Sequence, residues 1–371
     1  MKLGIITFHA VYNYGAVLQA YALQKVFSDL DVDAEIIDFR RKEQVDYTSL
    51  YSKRRGIKSF IKNIMILPFH NKRKKRMINF DMFIDKELVK SDDIYTTEEA
   101  LARTNDIYDV FFTGSDQVWN TRKEKDYSSA YFLDFVEANN SNRYAYAASL
   151  GVSEKKDLVN QEQMLNKYKK ISCREKRGVD IVSEITQKDV ELVLDPTLLV
   201  DRKHLDKYVK ESEINKPYLF YYSLDGFDKR KNNLDMIYAL AKKFGLEVRL
   251  VTPEWVYTGN KGEQCITAGI EDFLTLIANA ELVCTNSFHG TALSIKFNKN
   301  FYVLEEYDGK DDRKRTILEE IGLLDRCISN MASVENISDY KIDYEDVNSK
   351  LESKRDKSLA YVKECLASAA V

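Results

Sequence analysis

The chain opens on a short apolar run, a loop of turn formers, an amphipathic helix pattern and a second short apolar run, and this order returns after Pro217. Leu3 to Thr7 reads as a strand and Phe8 to Gly15 as a loop. From Ala16 onward, Val17, Leu18, Tyr21, Ala22, Leu23, Val26 and Phe27 recur at helical spacing, and Ala34 to Phe39 is a second strand bearing Asp38. Short apolar strands alternating with amphipathic helices constrain the fold strongly. Successive strands run parallel only when a crossover helix carries the chain back, so the pattern demands a parallel sheet covered by helices.

Asp109 to Thr113, Tyr144 to Ala148 and Glu191 to Leu194 extend the first series. The second series sets strands at Tyr218 to Leu224, Leu246 to Val251, Leu282 to Thr285 and Phe301 to Leu304. Its helices are expected at Leu234 to Phe244, Asp272 to Ala280 and Gly290 to Phe297. Two successive α/β series predict an α/β protein of two Rossmann-like domains facing a cleft. Residues 1–205 form the first and 206–340 the second, the crossing lying between Thr197 and Pro217. Tyr344 to Leu366 predicts one long amphipathic helix in a terminal segment, 341–371.

With 56 Lys and Arg against 59 Asp and Glu, the formal charge is −3, which gives no nucleic-acid footprint. No run approaches the ~18 apolar residues of a spanning helix. The first residues lack the basic and small-residue flanks of a signal peptide. Cys173, Cys265, Cys284, Cys327 and Cys365 are scattered and odd in number, and only four histidines occur. Unpaired thiols, no zinc site and a cytoplasmic location are the expectation.

In open parallel sheets, ligands gather at the carboxyl ends of strands. Just after strand one stands Phe8-His9-Ala10-Val11-Tyr12-Asn13-Tyr14-Gly15-Ala16, which lacks a GxGxxG fingerprint but can turn helix N–H groups toward an anion. Thr113-Gly114-Ser115-Asp116-Gln117-Val118-Trp119-Asn120 gathers an acid, amides, a hydroxyl and an indole, the chemistry of a sugar site. Tyr146 to Gly151 places small residues after a strand, and Asp195-Pro196-Thr197 is a strand-ending turn. In Ser172-Cys173-Arg174-Glu175, Arg174 follows a strand and can fork onto a carboxylate or phosphate. The sharpest motif is Thr285-Asn286-Ser287-Phe288-His289-Gly290-Thr291. It sets a histidine at a strand-to-helix junction, where it can serve as general acid or base. His9 is a second candidate for that role.

Together, Gly4-Ile5-Ile6-Thr7, Asn13-Tyr14-Gly15-Ala16 with Gln19, Gly114 to Asn120, Arg174-Glu175, Asp195-Pro196-Thr197 and Ser287-Phe288-His289-Gly290 resemble the polysaccharide pyruvyl transferase family, as far as about Arg326. The resemblance implies a glycosyltransferase-B-like fold. It implies transfer of a pyruvyl unit from phosphoenolpyruvate onto two hydroxyls of a cell-surface glycan or its lipid-linked precursor, with no cofactor or metal. On this reading His289 is catalytic and Asp116 orients or deprotonates a sugar hydroxyl. Asn13, Tyr14, Gly15, Ser115, Gln117, Trp119 and Asn120 line an acceptor side in the first domain. Arg174 from the first domain and Ser287 and Gly290 from the second bind the donor, the second domain being the donor side. Several members carry Arg where Ser287 stands, so Lys296, Arg313 and Arg315 are candidates for the missing cation.

Two other readings share this architecture. A nucleotide-sugar glycosyltransferase would use Glu305 or Glu306 on a ribose, and a glycan-binding protein would need no donor at all. Finally, residues 53–76 hold ten Lys or Arg and no Asp or Glu. Ile57, Phe60, Ile61, Ile64, Met65 and Leu67 form an apolar face there, ended by Pro68, with Lys58 and Lys62 opposite and Lys72 to Arg76 following. A peripheral contact with an anionic membrane is expected of such a stretch.

Overall fold

The computed structural model describes residues 1–41, 49–51, 56, 60, 63–64, 67–122, 128–211, 216–224, 227–252, 262–305 and 311–369. Six strands, β1 (Leu3–Ile6), β2 (Ala34–Ile36), β3 (Val110–Thr113), β4 (Arg143–Ala148), β5 (Lys170–Cys173) and β6 (Val190–Leu192), form one parallel sheet in the order β2-β1-β3-β4-β5-β6. Six more form a second: β7 (Tyr218–Tyr222), β8 (Glu247–Val251), β9 (Glu263–Gln264), β10 (Leu282–Thr285), β11 (Asn300–Leu304) and β12 (Cys327–Ile328), in the order β12-β11-β10-β7-β8-β9. In register, Ile5 faces Phe112, and Leu282 lies between Leu219 and Asn300. Strands β1, β3, β7 and β10 are buried at every position. That is why their sequences are continuous apolar runs rather than alternating ones.

Strand order reverses between β1 and β3 in the first sheet and between β7 and β10 in the second. The loops after these strands are the switch-point loops, the usual place for a ligand in such sheets. Helices α1 (Tyr14–Ser28), α2 (His70–Glu87), α3 (Lys176–Thr186), α4 (Pro196–Leu199), α5 (Phe227–Phe244), α6 (Ile270–Ala278), α7 (Phe288–Lys296), α8 (Arg313–Ile321) and α9 (Tyr344–Ala369) cover the sheets. Helix α1 is apolar almost all round and correspondingly buried, because it lies between the first sheet and the helices of the second. One apolar cluster therefore runs from Val17 and Tyr14 through Phe273 and Phe220 to Ile295.

The terminal segment carries the one long helix expected, α9. It spans both halves: Tyr344 Oη donates to Lys299 O (2.5 Å) at one end, and Tyr361 Oη donates to Ala145 O (2.8 Å) further along. Phe60, Asn63 and Ile64 are helical ahead of Pro68, and where that helix ends lies outside the described residues. Leu67–Phe69 is a 3-10 turn leading into α2, so Lys72 to Arg76 occupy the first turns of that helix. Proline suits a helix entrance, where its missing N–H costs nothing. Ile57, Lys58, Ile61, Lys62 and Met65 lie outside the described residues.

Candidate active site

The two switch points meet where the start of α1 abuts the start of α7. Asn13 caps α1, its Oδ1 accepting from the N–H groups of Gly15 (3.0 Å) and Ala16 (3.2 Å). Ser287 caps α7, its Oγ accepting from Gly290 N–H (3.4 Å). Both are ordinary N-cap roles. Gly15 is set against His289 so closely that a Cβ there would lie 2.1 Å from the imidazole Nδ1. Gly290 has the same function on the other side, since its Cβ would meet Thr285 Oγ1 at 2.3 Å. These two glycines let the imidazole reach the seam between the halves.

Facing His289 is a buried ionic cluster. Arg174 follows β5, and no part of its side chain reaches solvent. Its Nη1 donates to Asp195 Oδ2 (2.8 Å) and its Nη2 to Asp116 Oδ1 (3.2 Å). The guanidinium also lies over the Phe288 ring, 4.3 Å from its centroid, so an aromatic face covers the side left free by the carboxylates. His289 Nε2 stands 3.6 Å from Asp195 Oδ2, beyond hydrogen-bond range, and has no hydrogen-bond partner among the described residues. Ser115 Oγ (2.9 Å) and Thr197 N–H (3.0 Å) donate to the Asp195 carboxylate. Beside Arg174, Glu175 Oε1 accepts from Leu150 N–H (2.8 Å). Glu175 Oε2 and Arg174 Nε stand 3.8 Å apart, each without a hydrogen bond among the described residues.

The charges divide by surroundings. Burial pushes both Asp195 and Glu175 upward. At Asp195, His289, Arg174 and the Thr197 N–H more than offset this and hold the carboxyl well below the usual range. At Glu175, burial wins over Arg174 and Arg313, and the carboxyl is pushed up to about 7. Such splitting of neighbouring carboxyls is how one site keeps a fixed anion beside a proton carrier. Asp116 is the member nearest solvent, and its Oδ2 makes no hydrogen bond among the described residues.

The model of the polysaccharide pyruvyl transferase family matches residues 13–308. The chain belongs to that family. Among curated proteins no sequence match is found. Solved structures match in fold. UDP-GlcNAc 2-epimerase of Methanocaldococcus jannaschii, in complex with UDP-GlcNAc and UDP, aligns with TM-score 0.54 at 13% identity over 99% of each chain. The Rickettsia bellii UDP-N-acetylglucosamine 2-epimerase aligns with TM-score 0.56 at 13% identity over 98% of this chain and 96% of its own. The fold is GT-B-like, as the resemblance implied.

In this member of the family, the residues named from sequence part into three groups. His289, Asp116, Arg174, Ser115, Gly15, Gly290 and Ser287 come together at the seam. Arg313 joins them through charge: it pairs with Asp311 (Nε to Oδ1, 2.7 Å) and lies close enough to act on Glu175 and Asp116. A second group serves the fold instead. Trp119 is no platform for a sugar ring. Its indole is fully buried against Phe132 and Tyr168 and donates to Tyr131 O (3.0 Å). Tyr14 is likewise buried, stacked on Phe273 at 4.2 Å, with its hydroxyl on Ala268 O. Gln117 and Asn120 bond each other (3.0 Å), and Asn120 also accepts from Ser153.

A third group lies away from the seam. Lys296 stands at the far end of α7, its ammonium on the carbonyls of Leu198 and Val200, and burial lowers it to about 7. Arg315 pairs with Glu305 at 3.6 Å. His9 is buried against Asp38 (3.0 Å), which Arg40 also clamps. Glu305 is held by Lys314 and Arg315, while Glu306 lies outside the described residues. Sequence reasoning missed Lys314, whose Nζ donates to Asn286 O (3.3 Å) beside Ser287. It also passed over Asp195 and Glu175 as members of the ionic cluster. A charged residue two or three positions past the end of a strand is the signal common to Asp195 and Glu175. Both Arg313 and Lys314 follow the family-matched segment.

Proposed function

We propose that this enzyme transfers the pyruvyl unit of phosphoenolpyruvate to a glycan as a cyclic ketal, with a cell-surface glycan precursor as acceptor. The observation that carries the reading is His289 at the head of α7, its Nε2 without a hydrogen bond among the described residues, beside a carboxylate held low by His289 and Arg174. In this scheme His289, facing Asp195 across 3.6 Å, delivers a proton to the donor's methylene carbon. One sugar hydroxyl then bonds to C2 and gives up its proton, which Asp116 accepts. A second hydroxyl adds to the same carbon, and the C–O bond to phosphate breaks. Of the two hydroxyl protons, one replaces that given by His289 and the other leaves with phosphate.

Arg174 does not hold the donor directly in this scheme, because Asp195 and Asp116 occupy its fork. Its work is positioning. Lys314 reaches Asn286 O just ahead of α7 and Arg313 acts on Glu175 and Asp116, and with the N–H groups of that helix these two cations suit a phosphate. The test is a calorimetric titration with phosphoenolpyruvate, inorganic phosphate and a UDP-sugar, followed by phosphate release in the presence of a glycan pool. Phosphoenolpyruvate should bind. His289→Ala should lower glycan-dependent phosphate release by at least about 10²-fold. Binding of the UDP-sugar with none of phosphoenolpyruvate favours the glycosyltransferase reading instead.

A further inference from the structure

Helix α2 begins in a way that works against its own stability. Lys72, Arg73, Lys74 and Lys75 crowd its first turns and Arg76 follows, no acid stands there, and Phe69 supplies no side-chain cap. Cations at a helix N-terminus oppose the helix dipole. Local choices that conflict with the fold in this way mark function more often than accident. Lys72, Lys74 and Lys75 are exposed and pair with no carboxylate among the described residues. On the same face, at the helical spacings of three, four and eight, come Ile78 and Met82, both exposed, Met82 at 65%. Leu67, just before the helix, is also exposed, as are Phe60 and Ile64. Exposed apolar side chains among unpaired lysines are the mark of a surface that enters a lipid interface.

The opposite face fixes this helix to the rim of the site. Arg76 Nη1 donates to Thr252 O (3.0 Å), and its guanidinium lies 5.0 Å from the Tyr14 ring. Asn79 Nδ2 donates to Thr267 O (2.9 Å) on that face, while Asp81, three residues beyond Ile78 and so on the flank of the exposed face, accepts from Tyr12 Oη (3.2 Å) in the loop after β1. The helix thus bridges both halves beside the seam that holds His289. Asp81 and Asp85 confine the cationic surface to its first turns. Among the described residues no helix is long and apolar enough to cross a membrane.

We propose that the Leu67–Met82 face docks the enzyme on an anionic lipid bilayer, with the mouth of the seam beside the membrane surface. This holds independently of the donor chemistry proposed above. The experiment is co-sedimentation of the full chain with vesicles of phosphatidylcholine alone or with increasing phosphatidylglycerol, at low and high salt. Binding should rise with phosphatidylglycerol and fall with salt. Each lysine at an anionic surface strengthens partition about fivefold, so Lys72→Ser, Lys74→Ser and Lys75→Ser together should weaken it by about 10²-fold. Ile78→Ser with Met82→Ser should weaken it at every salt concentration. All variants should melt with the parent protein, since these side chains are exposed. No binding to anionic vesicles, equal binding to neutral ones, or full binding by the triple lysine variant overturns the proposal. Binding of a soluble acidic polysaccharide without any vesicle binding also overturns it and makes the surface a glycan contact.

Discussion

Glu175 is a buried carboxyl whose protonation the fold shifts upward. One oxygen is held by the Leu150 N–H, and the other faces Arg174 Nε across 3.8 Å without a hydrogen bond among the described residues. Burial raises it from 4.5 to about 7. A carboxyl raised in the folded state stabilises the protein most below its unfolded value, and that contribution is lost as pH climbs through 7. A shift of this size corresponds to about 3 kcal/mol. The melting temperature of the parent protein relative to Glu175→Gln should therefore fall between pH 4.5 and pH 7 and level off above. A difference that stays constant over that interval means that Glu175 is not protonated in the native state. Arg174 and Glu175 were legible as a pair after a strand, because a charged dipeptide directly after an apolar run is visible in sequence. That Arg174 is saturated by Asp116 and Asp195 was not legible. Those partners stand 58 and 21 residues away and are brought in by separate strands.

Helix starts position the site, and a glycine governs how they meet. The strands and helices that carry the site motifs were visible in sequence because buried parallel strands are continuous apolar runs. β10 occupies Leu282–Thr285, the residues expected. What the pattern could not show is which polar residues of a strand-end loop face inward. Trp119 reads as a sugar platform in the string Gly114 to Asn120, yet Phe132 and Tyr168 enclose it from elements whose packing no local spacing encodes. Nor could it show that Gly15 exists for His289. With an alanine Cβ 2.1 Å from Nδ1, the imidazole or the start of α1 must move. Gly15→Ala should keep secondary structure while lowering turnover by about 10²-fold, the loss expected when a reacting group is displaced by about 1 Å. Turnover near that of the parent shows that the imidazole's position against α1 is irrelevant to the reaction.

The two halves are joined by aromatic packing rather than held apart by a linker. Tyr14, from the first helix, stacks on Phe273 of α6 and meets Tyr222 of β7 edge-on at 5.7 Å. Its hydroxyl donates to Ala268 O (2.7 Å). Behind it, a single apolar cluster runs through both sheets, and α9 fastens Lys299 in the second half to Ala145 in the first. Apolar cores shared in this way unfold together, because neither half can expose its face of the cluster without solvating the other's. Scanning calorimetry of the parent chain should thus show one cooperative transition. Tyr14→Phe removes only the hydrogen bond to Ala268 and should cost about 1 kcal/mol. Tyr14→Ala removes the ring from a packed site and should cost about 3–5 kcal/mol, by the measure of buried aromatic truncations. Because the lost contacts are those between the halves, Tyr14→Ala should also broaden the transition or divide it in two. Two separate transitions in the parent protein would show that the seam containing His289 is a loose contact between independent domains. The site would then be assembled only when substrate draws the halves together.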